Sequence, residues 1–266
     1  MQRIISWNVA SIRSRLPVLE KFLLQNQPDI CFLQEIKATE ENFPFMDLKR
    51  MGYQAVISGQ KAYNGVAFLS KLPLTDVFRE LPNAPESDPP QARFIQARLP
   101  DKTIIICVYV PNGAPPMNNP SDTSRLMYKI EWLDALTKHI QDLISKGEKI
   151  ILGGDFNVIE KDMDVYNAKS FEGSSLIVPP VREAFEKLSK TGLKNPIRLF
   201  NPDPYTYSFW DFQMGAWPRN LGILLDFFFV SSDIFDSIQS AKIYKDIRGW
   251  EKTSDHAPIG IDLSDG

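Results

Sequence analysis

The chain has 266 residues, 43% hydrophobic and 24% charged, with a formal net charge of −3. That length and apolar content suffice for one large core or two modest ones, and the charge level excludes a disordered, self-repelling chain. The small negative charge supplies no overall attraction to a polyanion, so nucleic acid has to be met by a local basic face.

In chain order, residues 1–8 show neither a signal-peptide pattern nor a long apolar segment, and no later run is long enough to span a bilayer. A cytoplasmic protein without a membrane partner is the expectation. β-branched and aromatic runs predict strands over 4–9, 29–34, 54–58 and 66–70, with helices over 16–25 and 41–51. Strands over 94–99 and 104–110 precede a helix over 123–144, whose Leu126, Ile130, Leu133, Leu136, Ile140 and Leu143 make a one-sided apolar stripe. Gly147 is placed to stop that helix. Strands over 149–153, 207–211, 224–230, 241–244 and 259–263 and a helix over 181–190 complete the reading.

So many strands with four helices disfavour a doubly wound sheet. They predict a four-layered α/β sandwich, two packed sheets with helices outside. The Pro-rich stretches 82–90 and 111–120 are too short for linkers, so a single domain over 1–266 is expected. A strand ending in Trp7-Asn8 and another ending in Asp155-Phe156-Asn157 hint at two similar halves. Cys31 and Cys107 lie inside apolar runs and read as reduced core residues.

The chemistry-bearing residues sit at strand ends. Residues 29–35 form an apolar strand ending in Gln34-Glu35, and a carboxylate there suits a hard cation such as Mg²⁺, although a solvated end charge is the plainer reading of an isolated Glu. Residues 150–157 repeat the design, with Gly153-Gly154 expected to turn the chain so that Asp155 and Asn157 face one side. Asp226 is the one acid in the apolar run 224–230 and needs a partner if buried. His256, in Ser254-Asp255-His256-Ala257-Pro258, is the natural one. The other histidine, His139, reads as a surface residue. Tyr109 is either a core residue or a phenol aimed at a reacting phosphate. The aromatic segment 205–212 is either core or a platform for a base or sugar.

Taken together, these pieces resemble the exonuclease III class of DNA repair enzymes, in the endonuclease/exonuclease/phosphatase superfamily that includes DNase I. The resemblance rests on Ser6-Trp7-Asn8, Leu33-Gln34-Glu35-Ile36-Lys37, Gly65-Val66-Ala67-Phe68-Leu69-Ser70-Lys71 and Tyr109-Val110-Pro111-Asn112-Gly113. It continues through Arg125-Leu126-Met127-Tyr128-Lys129, Gly154-Asp155-Phe156-Asn157, Tyr207-Ser208-Phe209-Trp210-Asp211 and the His256 segment. It implies Glu35 as the main Mg²⁺ (or Mn²⁺) ligand, with Asn8 and Asp255 nearby. Asp155 would orient or deprotonate the attacking water beside Asn157. His256, held by Asp226, and Tyr109 would meet the scissile phosphate. Phe209, Ile223 and Leu225 would form a pocket for a base-less deoxyribose. Lys37, Asn112, Arg125, Lys129 and Trp210 would meet the DNA. A monomer cutting duplex DNA 5′ to abasic sites and at 3′ ends is implied. Ala10 stands where the family usually has Asp or Asn, and Leu224 replaces its arginine, which suggests a weakened metal shell and a lost cation beside the pocket. The competing readings are a phosphoesterase for a small or lipid substrate and a non-catalytic DNA-binding relative.

Overall fold

The central strands of this chain are apolar without alternation, because both of their faces are covered. The computed structural model describes residues 1–264. In chain order it begins with β1 (Gln2–Asn8), α1 (Ile12–Asn26), β2 (Ile30–Gln34), α2 (Phe45–Arg50), β3 (Gln54–Ser58) and β4 (Val66–Ser70). There follow β5 (Thr75–Phe78), β6 (Phe94–Arg98), β7 (Ile104–Tyr109), α3 (Ser124–Ser145), β8 (Ile150–Asp155), α4 (Pro179–Ser189) and α5 (Pro196–Phe200). The chain closes with β9 (Asp226–Val230), α6 (Ser232–Asp236), β10 (Ile238–Ile243) and β11 (Ile259–Leu263).

One sheet has the order β10-β11-β1-β2-β4-β3 and the other β5-β6-β7-β8-β9. Each is built around one parallel pair, β1 with β2 and β7 with β8, flanked by antiparallel neighbours. The connections within these pairs are α1 and α3, the crossover helices that parallel neighbours require. Each sheet thus holds one βαβ unit, but the strands whose ends suggested a likeness, β1 and β8, are the first strand of one unit and the second of the other. The sheets meet face to face, with Phe32 of β2 edge-on to Phe228 of β9 at 5.8 Å. On the outer faces, Leu19 and Phe22 of α1 and Leu48 of α2 cover the first sheet, while α3 and α4 cover the second. This is the four-layered α/β sandwich.

Local sequence explains most departures from the predicted elements. Pro44 divides the expected helix over 41–51 into a 3₁₀ turn at Glu40–Asn42 and α2. α1 starts before residue 16, capped by Ser11, and carries Pro17 inside it. The segment 207–211 is no ladder strand: Phe209 makes single bridges to Ile223 and to His256. The short β5, α5 and α6 went unpredicted because four or five residues carry too little periodicity. β8 runs straight through Gly153 and Gly154 rather than turning there. The glycines instead allow close approach, since a Cβ on Gly154 would lie 2.0 Å from the Val108 carbonyl oxygen and one on Gly153 2.5 Å from the Phe228 ring. Both cysteines are free and buried. No helix among the described residues is long and apolar enough to cross a membrane.

Candidate active site

Sheet register lays out the site before any side chain is considered. Across the second sheet Tyr109, Asp155 and Asp226 are successive neighbours at the ends of β7, β8 and β9. Across the first, Asn8 of β1 stands beside Gln34 of β2, and Glu35 follows at once. Opposed carboxylates such as Asp155 and Asp226 repel, so the arrangement depends on His256. Its Nδ1 lies 2.8 Å from Asp226 Oδ2, and its Nε2 lies 3.6 Å from Asp155 Oδ2. Ser208 Oγ donates to the same Asp226 oxygen at 2.6 Å and accepts from the Leu225 and Asp226 amides. Trp7 Nε1 donates to the His256 carbonyl at 2.9 Å, tying the first sheet to the histidine.

Asn8 joins the two halves. Its Nδ2 donates to Glu35 Oε1 and to Asp155 Oδ2, each at 2.9 Å. Its oxygen accepts from the Ala10 amide at 3.0 Å. Asn8 thus bridges the two carboxylates through its amide nitrogen, and the left-handed Ala10 (φ 48°) meets its oxygen through the backbone. Ser254 Oγ bonds the Asn8 carbonyl at 2.6 Å and lies 3.2 Å from Asp255 Oδ1, which holds Asp255 beside the same strand end. Glu35 and Asn157 are also left-handed, with φ 49° and 50°. Such strain in non-glycine residues gathers at working sites.

Charge is unevenly compensated. Burial opposes ionisation of Glu35, but hydrogen bonds from Asn8 and Lys37 outweigh it and hold the carboxyl below its usual range. Lys37 Nζ lies 2.8 Å from Glu35 Oε2. Burial raises the Asp155 carboxyl, the nearby His256 opposes that, and Asp226 and Glu35 push it further up. Burial works against the His256 imidazolium, yet Asp226 and Asp155 prevail and hold it raised. Burial, reinforced by Glu35 and Asp155, keeps the Tyr109 phenol protonated. The Arg93 guanidinium lies 4.7 Å from the Tyr109 ring centre and donates to its carbonyl.

Carboxylates this crowded suit a divalent cation. Ligand atoms of Asp155, Asp226 and His256 lie within 4.8 Å of one another, but the Asp226–His256 bond already occupies two of them. By donor type the carboxylates Glu35 and Asp255 better match a hard cation, and Glu35 would exchange its Asn8 or Lys37 bond for the ion.

Several expectations for DNA contact change. Lys129 has no exposed surface and its ammonium is enclosed, so it meets no phosphate backbone. Trp210 is likewise fully buried, edge-on to Trp217 at 5.1 Å with its indole N–H on Asn220. Leu224 is buried in the main core, so its departure from the family removes no cation from a DNA-facing surface. Ile223 and Leu225 each keep 3% exposure in a cluster that Leu176, Phe171 and Tyr166 pack against. Phe209, half-buried, borders this cluster and lies 4.9 Å from the His256 ring. Arg125 and Asn112 line an open cleft of about 820 Å³ with Arg93, Tyr63 and Tyr128. Asn112 Nδ2 also donates to Asn157 Oδ1 at 3.3 Å. His139 is no free surface residue, since its Nε2 is 2.7 Å from Gln96 Oε1. Sequence reading missed Ser208 and Trp7, both inside motifs it quoted, and Arg93, which carries no local signal.

A two-sheet sandwich with acid, amide and imidazole groups converging at the strand ends defines a phosphoester-hydrolase scaffold. The chain belongs to the Endonuclease/Exonuclease/phosphatase family, whose model matches residues 5–256. It is 29% identical to exodeoxyribonuclease III of Haemophilus influenzae over 97% of this chain and 98% of that one. It is 30% identical to the DNA repair nuclease APEX1 of Danio rerio over 98% and 82% of the two chains. Among solved structures, a 3′-5′ exonuclease (NExo) from Neisseria meningitidis superposes with TM-score 0.92, at 33% identity over 99% of this chain and 100% of that one. An AP endonuclease from Archaeoglobus fulgidus gives 0.91 at 30% identity, covering 100% of each chain. The chain is a DNA repair nuclease of this family.

Proposed function

We propose that this protein hydrolyses phosphodiester and phosphomonoester bonds at 3′ ends of duplex DNA with Mg²⁺ (Mn²⁺ an alternative), and incises 5′ to abasic sites more slowly. The hydrogen-bonded chain Glu35–Asn8–Asp155, with Asp226–His256 beside it, carries the reading. Asp155, its carboxyl raised toward neutrality, accepts the proton of the attacking water. The His256 imidazolium, oriented by Asp226, donates to a non-bridging phosphate oxygen as charge develops there. Tyr109, protonated, donates to the same phosphate, and Asn157 steadies the loop beside Asp155. Glu35 and Asp255 would hold the cation, which when bound supplies Lewis-acid polarisation of the phosphate oxygens.

The ranking of substrates follows from the packed Ile223–Leu225 cluster. A base-less sugar has to displace a side chain to enter it, whereas a terminal phosphate needs only the polar strand ends. The Neisseria relative's description as a 3′ phosphatase bound to a product DNA hairpin is in keeping with this. Arg125, Lys37 and Arg93 supply the local basic face that the net charge of −3 does not. A monomer working in the cytoplasm as one domain is part of this reading. The test is a labelled duplex with a 3′-phosphate and a second with one abasic analogue, each with Mg²⁺ and with EDTA. Faster metal-dependent cleavage of the first is the expected result; equal or faster abasic incision overturns the ranking, and no cleavage of either overturns the assignment.

A further inference from the structure

A lysine inside a protein core is costly, and this chain keeps one beneath its active site. Lys129, on α3, is 0% exposed. Burial pushes its pKa from 10.5 down to about 7, against the pull of nearby Asp155 and with Arg93 adding to the fall. Its Nζ donates to three backbone carbonyls on three separate segments: Asn112 at 3.1 Å, Asn157 at 2.5 Å and Ser175 at 2.8 Å. Three acceptors match the three N–H groups of an ammonium, while a neutral amine leaves one without a donor.

Each segment borders the site. Asn112 follows β7 and Tyr109, Asn157 follows β8 and Asp155, and Ser175 precedes Leu176. The loop after β7 is shaped to the lysine stem, since a Cβ on left-handed Gly113 would fall 2.8 Å from Lys129 Cδ. Asn157 is held at φ 50° while its amide donates to Asp155 Oδ1 at 2.9 Å and its side chain donates to the Val110 carbonyl. The Lys129 bond to the Asn157 carbonyl thus fixes the residue that orients Asp155.

We propose that Lys129 is a positioning residue of the hydrolytic reaction, its three carbonyl bonds locking the Asn112, Asn157 and Ser175 segments so that Asp155, held by the Asn157 amide, stays aimed at the phosphate. This rests on the nuclease reading above. The test is a double-mutant cycle on the 3′-phosphate duplex with Mg²⁺, using Lys129→Met, Asp155→Asn and the pair, with Lys129→Gln in place of Lys129→Met should that variant not fold. The lysine variant is expected to lose about 10²-fold in kcat with KM within threefold, because a misplaced base costs rate rather than binding. In the Asp155→Asn background the same substitution should cost less than threefold, since the base it positions is gone. Loss of less than threefold in the single variant, equal losses in both backgrounds, or a loss confined to KM overturns the proposal. A wild-type chain that cuts nothing removes the nuclease reading and this one together, whereas an active wild type matched by its lysine variant removes only this one.

Discussion

Asp226→Asn tests the heart of the site at nearly constant shape. Asp226 Oδ2 accepts from Ser208 Oγ and faces His256 Nδ1 at 2.8 Å. The asparagine keeps the volume but removes the charge and can present the imidazole with a donor instead of an acceptor. His256 is raised from 6.5 to about 10, by Asp226 and then Asp155 against the penalty of burial. Because burial opposes the imidazolium, the nearby acids supply the whole of that preference, Asp226 the largest part. Losing the Asp226 share and the correct tautomer should lower kcat by roughly 10³-fold. The pH profile carries the sign. A histidine raised in the folded state is protonated below its folded value, so wild-type activity falls on the alkaline side only as pH climbs toward 10. In the variant that limb moves down toward the ordinary histidine range, while the acid limb, set by protonation of the raised Asp155 carboxyl, remains. The assay is steady-state cleavage of a labelled duplex with Mg²⁺ across pH, with thermal unfolding as a check on the fold. Activity within tenfold of wild type, or an unmoved alkaline limb in a folded variant, would refute the roles given to this pair.

Three further outcomes are expected. Glu35→Gln should abolish Mg²⁺ stimulation and weaken Mg²⁺ binding by at least tenfold in calorimetric titration; wild-type affinity would place the cation elsewhere. Leu176→Ala, thinning the cover over Ile223 and Leu225, should raise abasic incision relative to 3′-end cleavage severalfold, and an unchanged ratio would show that the cluster does not set it. Leu224→Arg overpacks a fully buried position and leaves an unpaired cation there, and should cost at least about 3 kcal/mol, seen as a Tm lower by several degrees. An altered ratio of activities with an unchanged Tm would restore its reading as a DNA-side substitution.

The strand ends of this site were legible in the sequence because buried strands are apolar and a polar residue closing one stands out. Glu35, Asp155 and Asp226 were found that way, and the quoted motifs ordered them. The layered architecture was legible too, since a count of apolar runs against helices discriminates between sheet arrangements. Tertiary packing decided what the sequence left ambiguous. Lys129 and Arg125 share one motif on one helix, yet one is enclosed by three carbonyls and the other lines an open cleft. Trp210 and Phe209 are adjacent aromatics, and only the second reaches His256. Charge and aromaticity are local properties of a residue type, whereas exposure depends on which distant segments fold over it. The sequence by itself thus determined the chemistry available at the strand ends. The meeting of two sheets decided which groups touch, which are buried and which stay open to solvent.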